Sequence, residues 1–129
     1  MYDTHPDVNS IIIAHPPKIM AFAITDAKFD SRIIPESYIM LRDIPKLPFG
    51  SSFLQPKFIA QEFRTAVPVI LVENDCVIVA GSSLLNAFDR LEVLEYSAKA
   101  ILDAEEIGTI INISEDERQE INAEFGLTD

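Results

Sequence analysis

The sequence predicts a fold of the α/β or α+β class, in which helices cover a mixed sheet. Apolar runs rich in β-branched residues at 10–14, 67–72 and 76–80 are typical of strands. Other segments, the longest over residues 82–106, carry apolar residues at three- and four-residue steps, which is typical of helices packed on one side. The last two strands are separated only by the polar residues 73–75, so they are predicted to form an antiparallel hairpin. A length of 129 residues fits one domain.

The first strand, residues 10–14, runs into a corner that contains a histidine and two prolines. Pro16 and Pro17 stop the strand and suit the first turn of a helix. That helix is predicted over residues 17–24, and its buried side is expected to carry Ile19, Met20, Ala23 and Ile24. His15 therefore lies between a strand and a helix, a place where α/β proteins often carry their chemistry.

The remaining short segments predict three helices and one extended edge. Residues 36–43 are predicted to be helical, and the two prolines within 43–49 suit an edge strand or extended segment. A capping box at 114–117 predicts a last helix over 115–125. A further helix is predicted over 55–65, where four residues follow helical spacing: Phe58, Ile59, Glu62 and Phe63.

The helix predicted over 82–106 is the longest element. Ser82 or Ser83 is expected to cap its first turn, and Gly108 lies just past its end. Its apolar stripe is expected to face the core and comprises Leu84, Phe88, Leu91, Leu94 or Glu95, Ala98 and Leu102.

Composition narrows the class of partners and the compartment. A formal net charge of −11 disfavours nucleic acid and anionic membranes as partners, because both require a positive protein surface. No stretch approaches the roughly 20 apolar residues of a membrane span. The first ten residues lack the basic and apolar regions of a signal peptide. The single cysteine, Cys76, excludes an internal disulfide, so a reduced, cytoplasmic protein is expected.

Four segments carry a family resemblance: IIIAHPPKIMAFAI, IPESYIMLRDIPKLPFG, NDCVIVAG and LLNAFDRLEVLEYSAKAI. In this order and spacing they resemble the class II aldolase/adducin family, which includes sugar-phosphate aldolases and the head domain of adducin. The resemblance implies a three-layer αβα fold with a mixed, largely antiparallel sheet, truncated so that residues 1–129 form a single domain without the family's amino-terminal portion. It also implies a homo-oligomer, since family aldolases assemble as rings, or completion by a partner chain.

The resemblance further implies where a metal site would lie. Family enzymes hold zinc with three histidines, two in a His-Ala-His-Pro sequence and one in an Asn-His-Gly turn. The matching positions here are Ile13, His15 and Asp75, so only His15 remains a histidine. We expect His15 and Asp75 to be vestigial ligands, with no cofactor, or zinc if a site survives. The tyrosine that donates a proton in the aldolases aligns near Phe49, which has no hydroxyl.

Several alternatives remain open from the sequence. His15, Asp75 and Cys76 could still form a reduced metal site, and His15 could activate Cys76 as a nucleophile. Glu73 could serve as an acid or base, or simply keep the turn soluble; His5 is expected at the surface. The chain is then a binding or assembly module without aldolase activity, a truncated product whose fold survives by oligomerising, or a metal-dependent sugar-phosphate aldolase (an aldehyde-lyase) with an altered site or a partner chain.

Overall fold

The computed structural model describes residues 5–64 and 67–127. Its strands form one mixed sheet in the order β1-β4-β3-β2. The strands are β1 (Ser10–Ala14), β2 (Lys46–Leu47), β3 (Val69–Val72) and β4 (Cys76–Gly81). Strand β4 pairs antiparallel with both β1 and β3, while the short β2 pairs parallel with β3. The sheet is therefore largely antiparallel, as the sequence predicts, with β1 and β2 at its edges.

The described residues also form six helices. They are α1 (Pro17–Ala23), α2 (Pro35–Leu41), α3 (Ser51–Leu54), α4 (Pro56–Glu62), α5 (Leu84–Ile107) and α6 (Glu115–Phe125). Helices α1, α2 and α5 pack with one face of the sheet, and α4 packs against the other. The expected three-layer αβα arrangement is confirmed. Across residues 5–64 and 67–127, no helix combines the length and apolar character needed to cross a membrane.

The central hairpin supplies both halves of the core. Side chains alternate along a strand, so Leu71 and Val77 join α1 and α5 on one face, whereas Ile70 and Ile78 join α4 on the other. Every residue of β3 and β4 is buried. Burial on both faces explains why these strands appear in the sequence as continuous apolar runs and not as alternating ones.

The predicted helices and hairpin strands agree with the structure to within about two residues at each end, except around residues 50–65. The hairpin turn includes Asn74 at φ 56°, the left-handed conformation that asparagine tolerates. Helix α3 was not predicted; it begins after Gly50, whose φ of 92° suits glycine. The helix predicted over 55–65 ends at Glu62, because Phe63 has an extended backbone at φ −73° and ψ 137°. Residue 65, the predicted end, lies outside the described residues.

The predicted core stripe of α5 is wrong at its first two positions. Leu84 and Phe88 are 67% and 48% exposed, whereas Ala87 and Leu94 are fully buried. In its amino-terminal half, α5 turns a different face to the sheet from the predicted one, because Ala87 lies against Gly81 at the end of β4. The predicted caps are confirmed: the Ser83 hydroxyl accepts from the Asn86 N–H at 3.0 Å, Gly108 follows the last turn, and Ser114 and Glu117 form the capping box.

Two smaller expectations are also corrected. Ile24 is exposed because α1 ends at Ala23 and Ile24 only caps it. His5 is half-buried, with its Nε2 2.6 Å from the Ala60 carbonyl oxygen, so it packs onto α4 instead of lying free at the surface.

Candidate functional site

The sheet brings the two predicted ligands, His15 and Asp75, to the same end of its strands. Ala14 at the end of β1 lies opposite Val77, so the next residue, His15, continues towards the start of β4. Asp75 immediately precedes β4. The turn is tied to helix α1, because the Asn74 N–H donates to the Ala23 carbonyl at 3.0 Å. We call this region the β1–β4 corner and define it as His15, residues 73–75 and Cys76.

The β1 side of the corner offers one donor. His15 is exposed. Ile13, at the position where the family resemblance places a second histidine, pairs with Ile78 and leaves 62% of its surface exposed. A hydrocarbon side chain has no lone pair to give to a metal. The exposed Ile13 side chain instead makes this part of the sheet face apolar.

The carboxylate of Asp75 already has a protein partner. Its Oδ2 accepts a hydrogen bond from the Ser52 hydroxyl at 2.5 Å, and Asp75 is half-buried. Ser52 belongs to α3, the helix that sequence patterning did not predict. This contact could not be anticipated from the sequence, because a four-residue helix leaves almost no periodic signal. The bond fixes the orientation of the carboxylate towards α3.

The thiol of Cys76 is buried at the start of β4, where 2% of the residue is exposed. Burial, with the neighbouring Asp75 charge and a hydrogen bond to it, raises the pKa of this thiol from 9.0 to about 11. The thiolate is the form that attacks electrophiles and binds zinc, and it is scarce at neutral pH with such a pKa. The structure therefore favours the interpretation of Cys76 as a small core residue.

The donors at the corner do not fit the zinc site implied by the resemblance. Within the described ranges 5–64 and 67–127, no three His, Cys, Asp or Glu residues cluster closely enough to hold a metal ion. Catalytic zinc sites normally use three protein ligands and leave one position open. Here the corner offers one exposed imidazole, a carboxylate bonded to a hydroxyl, and a protonated thiol.

The segments that flank the corner carry exposed apolar side chains. Phe49 and Phe53 meet edge-to-face with ring centroids 5.8 Å apart, on either side of the turn that starts α3, and both are largely exposed. Leu54 and Ile24 are also exposed. Each lies in sequence near a residue bonded to the hairpin turn, Leu54 near Ser52 and Ile24 next to Ala23. We call Ile13, Ile24, Phe49, Phe53 and Leu54 the corner apolar residues. Phe49, at the aligned position of the aldolase tyrosine, contributes a ring without a hydroxyl.

Comparison with known proteins identifies this architecture. The model of the class II aldolase and adducin N-terminal domain matches residues 1–102. The solved structure of YgbL from Klebsiella pneumoniae is similar with a TM-score of 0.72 and 25% identity, covering 93% of this chain and 60% of that one. L-fuculose 1-phosphate aldolase gives a TM-score of 0.71 and 22% identity, covering 98% of this chain and 59% of the other.

A third structure, an aldolase II superfamily protein from Pseudomonas syringae, gives a TM-score of 0.73 at 14% identity and covers 95% of this chain and 50% of that one. The chain thus spans about 60% or less of the length of these three structures. No curated protein matches the sequence significantly.

Proposed function

This chain belongs to the class II aldolase and adducin family, and from that premise we propose that it is a binding or assembly module without aldolase activity. The observation that carries the proposal is the donor set of the β1–β4 corner. His15 is exposed there, Asp75 is bonded to Ser52, and Ile13 takes a ligand position. Aldol cleavage leaves a carbanion, which family enzymes stabilise with a metal bound at this corner. This corner lacks the donors to hold one firmly.

The surface around the corner supports a role in binding or assembly. The five corner apolar residues are each more than half exposed. Large exposed apolar side chains grouped in one region of a soluble protein are typical of interaction surfaces. Among the described residues, β1 pairs only with β4, so its other edge presents backbone groups to which another strand could bond. We propose a second copy of this chain as the main partner, in a reduced cytoplasmic setting.

The activity part of the proposal is tested with a retro-aldol assay. The protein is incubated with excess zinc and a panel of ketose 1-phosphates, with L-fuculose 1-phosphate aldolase as the positive control. We expect aldehyde release no faster than that of a His15→Ala variant. Zinc-dependent cleavage that His15→Ala abolishes would overturn the proposal.

Light scattering on the same sample tests the assembly part of the proposal. We expect a defined oligomer, and a monomer at all concentrations would contradict this part.

A second candidate function is a sugar-phosphate aldolase completed by additional polypeptide. The observation that favours it is length, because the matched structures are considerably longer than this chain. The additional portion would have to supply the missing metal donors and the phosphate site. Affinity purification from the native source tests this candidate. Recovery of a co-purifying chain that confers zinc-dependent aldolase activity would establish it, and recovery of this chain alone and inactive would exclude it.

A further inference from the structure

The basic residues of this acidic protein are concentrated around one cavity. The whole chain has 10 Lys and Arg residues against 21 Asp and Glu. A cavity of about 540 Å³ is lined by five of those ten cations, namely Lys28, Arg32, Arg42, Arg64 and Arg118. Among the described residues, three carboxylates line it, those of Asp30, Asp43 and Glu62. We call it the arginine cavity. Its lining is positive although the whole chain is negative. A random distribution of solvent-exposed charges does not explain this local excess of cations.

The cavity lies far from the β1–β4 corner. Its lining includes Pro45, which precedes β2, and Val67, which precedes β3. These are the amino ends of two parallel strands, whereas the corner lies at the carboxyl ends of β1 and β3. The five steps of extended chain from Val67 to Val72 correspond to roughly 16 Å. Any ligand of the arginine cavity is therefore independent of the metal site implied by the family.

One pair of charges in the cavity neutralises itself. The Arg32 guanidinium donates through Nε to both carboxylate oxygens of Asp30, at 2.8 and 3.0 Å. This hydrogen bonding holds the pKa of Asp30 below its usual value. The two side chains hold each other at one side of the cavity, and the charge of Arg118 also acts on the Asp30 carboxylate.

Two of the remaining cations are open to a ligand. Among the described residues, neither the Lys28 ammonium nor the Arg64 guanidinium has a carboxylate within 4.0 Å. Arg118 donates a long bond of 3.4 Å, from Nε to the Ser114 carbonyl at the start of α6, and its charge also acts on Asp30. Unneutralised guanidinium groups that line a concave surface attract anions strongly, because their planar fork matches two oxygens of a phosphate or carboxylate.

The backbone at the cavity is held in an unusual conformation. Arg42 ends α2 with φ 54° and ψ −134°, values that a residue with a side chain rarely adopts. The conformation is fixed by the Ser31 hydroxyl, which donates to the Arg42 carbonyl at 2.8 Å. The Arg42 guanidinium lies 5.7 Å from the centre of the Tyr38 ring, whose hydroxyl donates to Asn122 of α6 at 2.8 Å. Such strain collects at ligand sites, where the surrounding contacts impose it.

We propose that the arginine cavity binds a small multivalent anion, an organic phosphate or a polycarboxylate. The volume lies within the range of roughly 300–1,000 Å³ typical of small-molecule sites. Both ligand classes share the chemistry that the cavity recognises, which is several anionic oxygens on a compact body. The site is independent of the proposed loss of aldolase activity, since it shares no residue with the corner.

The test is calorimetric titration with pyrophosphate and with citrate, at constant ionic strength and with EDTA present so that no metal takes part. We expect one-site saturation by at least one of the two. Pyrophosphate alone would assign the site to phosphates, citrate alone to carboxylates, and binding of both to multivalent anions generally. Failure of both anions to saturate would overturn the proposal.

Three single substitutions distinguish specific anion binding in the cavity from non-specific attraction by any positive charge. Arg64→Gln and Arg118→Gln are expected to weaken binding about tenfold each, as loss of a charged hydrogen bond predicts. Lys99→Gln is the matched control, because it removes the same charge from an exposed ammonium on α5 that pairs with Asp103. If all three substitutions weakened anion binding equally, the effect would come from the net charge of the protein and not from a site, which would overturn the proposal. Arg64 is exposed and Arg118 is half-buried, so melting temperatures close to that of the parent are expected for both variants.

Discussion

The contacts and conformations of single residues determine which ligands each end of the sheet could bind. At the corner, the bond from Ser52 to Asp75 and the burial of Cys76 engage two groups that zinc chemistry would need free and deprotonated. At the arginine cavity, the positive φ of Arg42 places a cation beside the Tyr38 ring. The sequence could not predict the Ser52–Asp75 contact, because α3 is too short to carry a periodic pattern. It places Tyr38 and Arg42 four residues apart in a predicted helix, but nothing in it indicates the positive φ of Arg42. It did predict the turn at Asn74, since asparagine tolerates the left-handed backbone.

The strain at Arg42 predicts a difference between two substitutions. Arg42→Gly and Arg42→Ala both remove the side chain, but only alanine keeps a Cβ that clashes at φ 54°. We expect the glycine variant to be more stable than the alanine variant by about 1 kcal/mol, measured by urea unfolding. Both should bind pyrophosphate more weakly than the parent. Equal stability, or a more stable alanine variant, would show that the backbone is not strained here.

At the level of elements, tertiary packing determined which face of α5 is buried, which the periodicity of the sequence did not determine. The sequence of α5 offers apolar residues around much of its circumference, and patterning placed Leu84 and Phe88 in the core. The structure buries Ala87 instead, because β4 ends at Gly81 and the helix backbone comes within contact distance of that glycine. Strands β1 and β4 were predictable because their β-branched runs are continuous. Helix α3 was not, because four residues carry no period.

The contact between β4 and α5 predicts a strong effect of one methyl group. A Cβ at Gly81 would lie 2.5 Å from the Ala87 nitrogen and 2.8 Å from its Cα, so backbone would have to move. We expect Gly81→Ala to lower the free energy of unfolding by about 3 kcal/mol. The control is Gly108→Ala, where nothing lies within 4 Å and φ is 178°, so a change within about 0.5 kcal/mol is expected. Similar effects of the two substitutions would contradict the close packing of α5 on β4.

At the level of the whole molecule, the two ends of the sheet have different properties. The carboxyl ends of β1 and β3 carry the corner, where exposed apolar side chains replace a donor set. The amino ends of β2 and β3 carry the arginine cavity, which gathers half of the basic residues. The family and the layered fold were predictable because four motifs occur in order. The cavity was not, since its five cations are spread from residue 28 to residue 118 and only the fold brings them together.

We propose that the β1–β4 corner has kept its place in the fold and lost its capacity to hold zinc. The test is calorimetric titration of zinc into metal-free protein. His15→Ala and Asp75→Ala are titrated in parallel, with His5→Ala as the control for the other histidine. We expect binding no tighter than about 100 µM, unchanged by any of the three substitutions, because the donors cannot form a three-ligand site. One-site binding at micromolar concentration or tighter, abolished by His15→Ala and Asp75→Ala but not by His5→Ala, would contradict the claim and show a rebuilt metal site.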